Sequence, residues 1–196
     1  MIQKEIIYYL EMSRPQDLCP SRLSPSELDI RESQPPLPEV NRFLYTAVGG
    51  NWWWVDRLGW TYQEWLDFLR RPGHETWIAY VNGTPAGYFE LEGKEGEPVE
   101  ILSFGLLPAF VGRGYGGALL TAAVRRAWEK KPDKVWLHTC SFDHPGALDN
   151  YKARGFRLVR TEEHLKEMPE VTPGLWPGAH AAGGGRLSSS SSSSSS

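Results

Sequence analysis

Residues 106–120 read Leu106-Leu107-Pro108-Ala109-Phe110-Val111-Gly112-Arg113-Gly114-Tyr115-Gly116-Gly117-Ala118-Leu119-Leu120. An apolar strand runs up to Pro108, and a helix is expected from Gly116. Between them lie Gly112, Gly114, Gly116 and Gly117, so little side chain shields the backbone. Bare N–H groups feeding a helix N-terminus form an anion site, because unsatisfied donors and the helix dipole are both positive there. A phosphate-bearing ligand is therefore expected at this loop.

Working outward, the preceding segment reads as an antiparallel meander. Residues 76–81 and 86–91 are strands flanking Asn82-Gly83, a strong hairpin turn signal. Residues 99–107 form a third strand. After the loop, a helix over 116–130 is followed by a buried strand over 135–139, and a strand–helix–strand unit of this kind pairs its strands in parallel. A short helix over 145–154 stops at Gly155, and residues 156–160 and 161–165 read as closing strands. Before the meander, residues 4–12 alternate as a first strand. Residues 13–38 form a long irregular connection, broken by Pro15, Pro20, Pro25 and Pro35. A helix over 38–48 turns Val40, Phe43, Leu44 and Ala47 to one side and stops at Gly49-Gly50. A second helix starts behind Thr61, whose Thr-x-x-Glu pattern with Glu64 is a capping box. It presents Tyr62, Trp65, Leu66 and Leu69 as a stripe. Between these helices, Asn51 to Trp60 is a loop rich in tryptophan.

Composition narrows the possibilities. The chain has 196 residues, 40% of them hydrophobic, and a net charge of −3, which suits one globular domain and gives no support to nucleic-acid binding. No apolar run reaches the ~20 residues of a membrane span, and the N-terminus lacks a signal-peptide layout, so a cytoplasmic protein with no membrane partner is expected. Cys19 and Cys140 are too few for a disulfide framework. No cysteine–histidine cluster has metal spacing, so no metal is expected. The domain is assigned to residues 1–168. Residues 169–196, rich in Pro, Gly and Ala and ending in serines from Ser188 to Ser196, are read as a disordered tail.

Gly112-x-Gly114-x-x-Gly117 formally matches the dinucleotide fingerprint. That fingerprint should open a parallel sheet, with an acidic residue closing the next strand. Here an antiparallel meander precedes it, and the next strand ends in His138-Thr139-Cys140. Element order over residues 4–165, the glycine loop, and Tyr151-x-x-x-Gly155-Phe156 instead resemble the GCN5-related N-acetyltransferase (GNAT) superfamily. Its signature, Gln/Arg-x-x-Gly-x-Gly/Ala, is met at Gly114 and Gly116, with Val111 at the first position.

The resemblance implies an α/β fold of the α+β type: a mixed, mostly antiparallel twisted sheet, helices on both faces and a splayed central strand pair. It implies acetyl-CoA as co-substrate, held by Leu106, Leu107, Val111, Gly112, Arg113, Gly114, Tyr115, Gly116, Gly117 and His144. The last of these stands where an asparagine is usual. A bulge at Gly105 would splay the strands, and main-chain N–H groups near Gly105 or Leu106 would hold the oxyanion. Tyr151 is implied as the acid for the departing thiolate; its alternative is an aromatic filling the groove.

Amine acetylation also needs a base, because an ammonium of pKa ~10 carries no lone pair at neutral pH. Glu100 is assigned this role. In a regular strand it would share an apolar face with Leu102, Phe104 and Leu106, which favours a raised carboxylate pKa. Glu90 and Glu92 are its rivals, and a solvated glutamate is the alternative. His138, on a buried-type strand, is read as a core histidine. The implied acceptor wall falls on residues 38–70, with Trp54 and Asp56 suited to an amine by cation–π and charge attraction. The expected function is direct transfer of acetyl to a primary amine of a small molecule or peptide; the alternative is a non-catalytic acyl-CoA-binding regulatory module. The acceptor and any oligomeric state stay open.

Overall fold

The computed structural model describes residues 2–170. The expected tail, apart from its first two residues, lies outside them. Seven strands form one sheet: β1 (Ile2–Met12), β2 (Asp29–Glu32), β3 (Glu75–Val81), β4 (Thr84–Glu92), β5 (Val99–Leu106), β6 (Val135–Cys140) and β7 (Arg157–Glu167). Their order across the sheet is β2-β3-β4-β5-β6-β1-β7. Every neighbouring pair is antiparallel except β5 and β6, which are parallel as the connection between them requires. Helices α1 (Pro38–Gly49) and α2 (Tyr62–Leu69) lie on one side of the sheet, and α3 (Tyr115–Glu129) and α4 (Ala147–Ala153) on the other.

Local chemistry explains most of these elements. Pro38 occupies the first turn of α1, where its missing N–H costs nothing. Thr61 and Glu64 close the reciprocal capping box of α2. Asn82 and Gly83 both adopt positive φ, as the two-residue hairpin between β3 and β4 demands. In α3, Leu119, Leu120, Ala123, Val124 and Ala127 are fully buried against Leu91, Val99, Ile101, Val135 and Leu137 of the sheet, making the larger core. A smaller core joins Leu44 and Val48 of α1 to Ile78 and Tyr88.

Several sequence expectations need correction. Residues 29–32, expected as irregular connection, pair with β3 as an edge strand. Ile30 is their one apolar residue, so no alternation announced it. In α2, Tyr62 is exposed and Phe68 takes its place in the buried face; in α1, Phe43 is exposed while Asn41 is buried. The two closing strands are one continuous strand, β7, paired with β1 along its length. The irregularity in β5 falls at Leu102 rather than Gly105: Glu90 pairs with Ser103 and Leu91 with Ile101, leaving Leu102 without a partner. Gly105 serves another purpose, since a Cβ there would run into the Val48 side chain.

Candidate active site

The site arises from the parting of β5 and β6. These strands pair only at Val99–Val135 and Glu100–Trp136, then diverge. The expected splayed pair is therefore present. Beyond Glu100, residues 101–106 of β5 face a cavity of about 520 Å³, whose opposite wall includes His138, Thr139 and Cys140. Backbone polar groups of two adjacent strands are left unpaired in a regular way only where something else is to take their place.

At one end of this cavity stands the glycine loop. A single 3-10 turn, Pro108–Phe110, leads into Gly112 and Gly114, both at positive φ, and Gly114 caps α3. At Gly117 a Cβ would come within 2.5 Å of Arg154 Nη1 and 2.8 Å of Ser21 Oγ, so both side chains pack closely over this glycine. The β1–α1 connection crosses here: the Ser21 N–H donates to Thr121 Oγ1 at 3.0 Å, and Leu23 lies beside Gly114. Leu106, Val111, Gly112, Gly114, Gly116, Gly117 and His144 line the cavity. Leu107 instead packs toward α1, and Arg113 and Tyr115 lie outside the lining, Arg113 over the Phe110 ring.

Tyr151 projects from α4 into the wall. It is buried, edge-on to Phe104 and Phe156, and its phenol lines the cavity. Burial, followed by the nearby Asp143 and Cys140, raises its pKa, so it stays protonated. The Gly155 that follows α4 has φ +100°, and the Asp17 carbonyl passes too close for any Cβ. Opposite, Trp54 of the α1–α2 loop reaches across the gap, and its indole N–H donates to Asp143 Oδ1 at 3.0 Å. Asp143 also accepts from Thr139 Oγ1 (2.6 Å) and the Cys140 N–H (3.0 Å), fixing the turn between β6 and α4. His144 lies edge-on to Trp52, its Nδ1 accepting from the Gly146 N–H.

Another part of the cavity wall is charged. Glu5 of β1, Lys166 of β7 and Asp56 of the α1–α2 loop meet there, with Lys166 Nζ 3.6 Å from Glu5 and 3.1 Å from Asp56. Cys140 lies between them and Tyr151, its thiol pushed up to about 12, chiefly by burial. His138, expected in the core, is 46% exposed in its side chain and borders the cavity. Its Nδ1 lies 3.0 Å from Glu100 Oε1. Glu100 is only 14% exposed and is not part of the cavity lining. The bulge at Leu102 explains its setting. Phe104 and Leu106 turn to the α3 side, so Glu100 does not share their apolar face.

The rival carboxylates are otherwise engaged. Glu90 is 1% exposed, holds Arg57 at 3.0 Å and accepts from Asn41 at 2.8 Å. Burial opposes its ionisation, but Arg57, His74 and Ser103 outweigh it and keep the pKa low. Glu92 pairs with Arg71 at 3.0 Å. Trp54 and Asp56, expected beside the acceptor, line the cavity with Trp52 and Trp53, whereas Trp60 of the same loop joins other aromatic rings around a cation. Arg57 sits 4.1 Å from the Phe68 centroid, 5.4 Å from Trp60 and 5.5 Å from Tyr45. Sequence reasoning missed Glu5 and Lys166 altogether, since they stand on β1 and β7 and are joined only by sheet order.

The site thus combines a parted sheet, a glycine-lined helix N-terminus beside the gap and a protonated phenol in its wall. Comparison with known proteins agrees. The profile described as "Acetyltransferase (GNAT) family" matches residues 38–156, and the chain belongs to that family. GNAT acetyltransferases take acetyl-CoA as co-substrate. The chain is 30% identical over 174 residues to a mycothiol acetyltransferase of Corynebacterium aurimucosum, covering 76% of this chain and 55% of that protein. It thus spans about half the length of the curated relative it matches. Among solved structures, a GCN5-related N-acetyltransferase from Sphaerobacter thermophilus superposes with a TM-score of 0.63 at 19% identity, covering 84% of this chain and 52% of that one. Another from Kribbella flavida gives 0.59 at 17% identity over 92% and 62%. These likenesses carry the fold.

Proposed function

We propose that the chain is an N-acetyltransferase of the cytoplasm that passes the acetyl group of acetyl-CoA directly to a primary amine within a ternary complex. The carrying observation is the gap between β5 and β6, a cavity lined both by the glycine loop at the N-terminus of α3 and by the recess of Glu5, Asp56 and Lys166. In this reading the glycine loop and α3 hold the diphosphate of the coenzyme, and its thioester arm lies along the free edge of β5. Main-chain N–H groups of that edge meet the developing oxyanion. The charged recess, with two carboxylates against one lysine, suits a cationic amine of a small molecule or a peptide N-terminus, with Trp54 and Asp56 on its rim. Tyr151 protonates the departing thiolate, and the ammonium proton is drawn toward Glu100. The named activity of the corynebacterial relative, acetylation, belongs to the same reaction class.

A panel of primary amines and peptide N-termini, offered with acetyl-CoA, tests this by release of free thiol. Release with at least one amine is the expected result. Acetyl-CoA at 100 times its Kd should also stabilise the fold by about 2.7 kcal/mol. Stabilisation without thiol release from any amine would replace this reading with a non-catalytic acyl-CoA-binding module.

A further inference from the structure

Among the groups that border the cavity and can accept a proton, nearly all are committed. Both oxygens of Asp143 are taken up by Trp54, Thr139 and the Cys140 N–H. Glu5 and Asp56 share Lys166. The Cys140 thiol is held protonated. His144 accepts the Gly146 N–H within the turn before α4. His138 differs: Nδ1 is turned to Glu100, while Nε2 has no hydrogen-bond partner among the described residues. Glu100 has the opposite character, shielded from the cavity with one oxygen on the imidazole.

From this arrangement we infer that His138 is the catalytic base that meets the amine, and that Glu100 is a positioning residue acting through it. The inference rests on the N-acetyltransferase reading above. Neutral His138 carries its proton on Nδ1, donated to Glu100, which leaves the Nε2 lone pair facing the cavity. Nε2 takes one proton from the ammonium. The freed amine nitrogen forms its bond to the thioester carbon, and the C–S bond breaks with its electron pair on sulfur. Sulfur takes the Tyr151 proton, and the second proton lost by the nitrogen restores the phenol. One proton leaves through His138 to solvent, so each turnover yields amide, free thiol and one H+.

The surroundings of His138 bear on its titration. Glu100 faces it from β5, Tyr9 and Glu5 from β1, and Asp143 from the turn after β6. Lys166 and Arg160 of β7 lie further off, Arg160 over the Tyr9 ring. The hydrogen bond to Glu100 leads in raising the histidine pKa above its ordinary value; burial opposes it. The acidic limb of kcat/KM should therefore fall above pH 6.5, the ordinary value.

The test follows the imidazole of His138 by NMR in the histidine-labelled full-length chain, beside pH–rate profiles with the best amine of the panel. His138→Gln assigns the resonance. Glu100→Gln, which keeps the shape of the side chain, is expected to lower both the His138 midpoint and the acidic limb by the same amount, with kcat/KM reduced about tenfold. His138→Gln should reduce kcat/KM by ~100-fold or more, in the range of general-base contributions. Its acetyl-CoA affinity should change less than twofold. Wild-type turnover and profile in His138→Gln would overturn the inference alone and leave Glu100 as the direct base. A His138 midpoint indifferent to Glu100→Gln would overturn it too. No turnover with any amine, with the imidazole titration still coupled to Glu100, would overturn the enzymatic reading and this role together.

Discussion

Two residues of the site owe their chemistry to burial. Tyr151 is kept protonated by its setting, so its phenol remains available as a donor through the neutral and mildly alkaline range. Tyr151→Phe should lower kcat by ~10- to 100-fold with unchanged acetyl-CoA affinity, read by initial rates and by titration calorimetry. Arg57 illustrates the opposite use of a charge. It is enclosed by aromatic rings and bonded to the buried Glu90, so it ties the tryptophan loop to the sheet rather than serving an acceptor. Removing one partner strands the other without water. Arg57→Ala should therefore destabilise the fold by about 3–5 kcal/mol in urea denaturation, whereas a conservative change at the exposed Tyr62 should leave the midpoint nearly unchanged.

At the scale of the elements, the strand-to-helix passage from β5 to α3 is where the proposed coenzyme site lies. Gly114 is both its left-handed residue and the cap of α3. Gly114→Asp should abolish detectable acetyl-CoA binding, because the side chain strains a positive φ and sets negative charge where a diphosphate is to lie. Retained binding by fluorescence or calorimetry would remove this loop from the ligand site. The α2 cap is independent of that chemistry. Thr61→Ala should cost about 1 kcal/mol of stability and leave acetyl-CoA affinity alone. The element boundaries at these points were legible in the chain, since caps, turn glycines and helical stripes are local. The bulge at Leu102 was not. Nothing in the sequence of β5 marks it, and it exists through the pairing of Glu90 with Ser103 and Leu91 with Ile101.

Across the whole molecule, charge clusters join elements far apart in sequence. Glu75 at the start of β3 receives Arg126 and Lys130 of α3 and its C-terminus, with Nη2, Nε and Nζ contacts of 2.9–3.0 Å. Burial works against its charge, but the hydrogen bonds from Arg126, Trp77 and Lys130 bring its pKa down to about 2. A depressed carboxylate stabilises the fold fully above its unfolded value of 4.5, and that contribution is lost as pH falls toward about 2. Arg126→Ala is thus expected to lose about 2 kcal/mol at pH 7 and to converge with the parent chain near pH 2, measured by denaturation at each pH. Among the described residues no helix is long and apolar enough to cross a membrane.

Short-range physics made the glycine loop, the Asn82-Gly83 hairpin, the Thr61 cap and the Tyr151-x-x-x-Gly155-Phe156 turn readable in the chain, and with them the family and its coenzyme. Each depends on backbone conformations that a few neighbouring residue types permit or forbid. The charged part of the cavity wall was not readable in this way. It is assembled from β1, β5, β6 and β7, and only the sheet order sets His138 beside Glu100 and Lys166 between Glu5 and Asp56. The same long-range pairing reversed the sequence view of His138, from core residue to cavity wall. An alternating strand shows which residues share a face, but it cannot show that the neighbouring strand has parted and left one of those faces open.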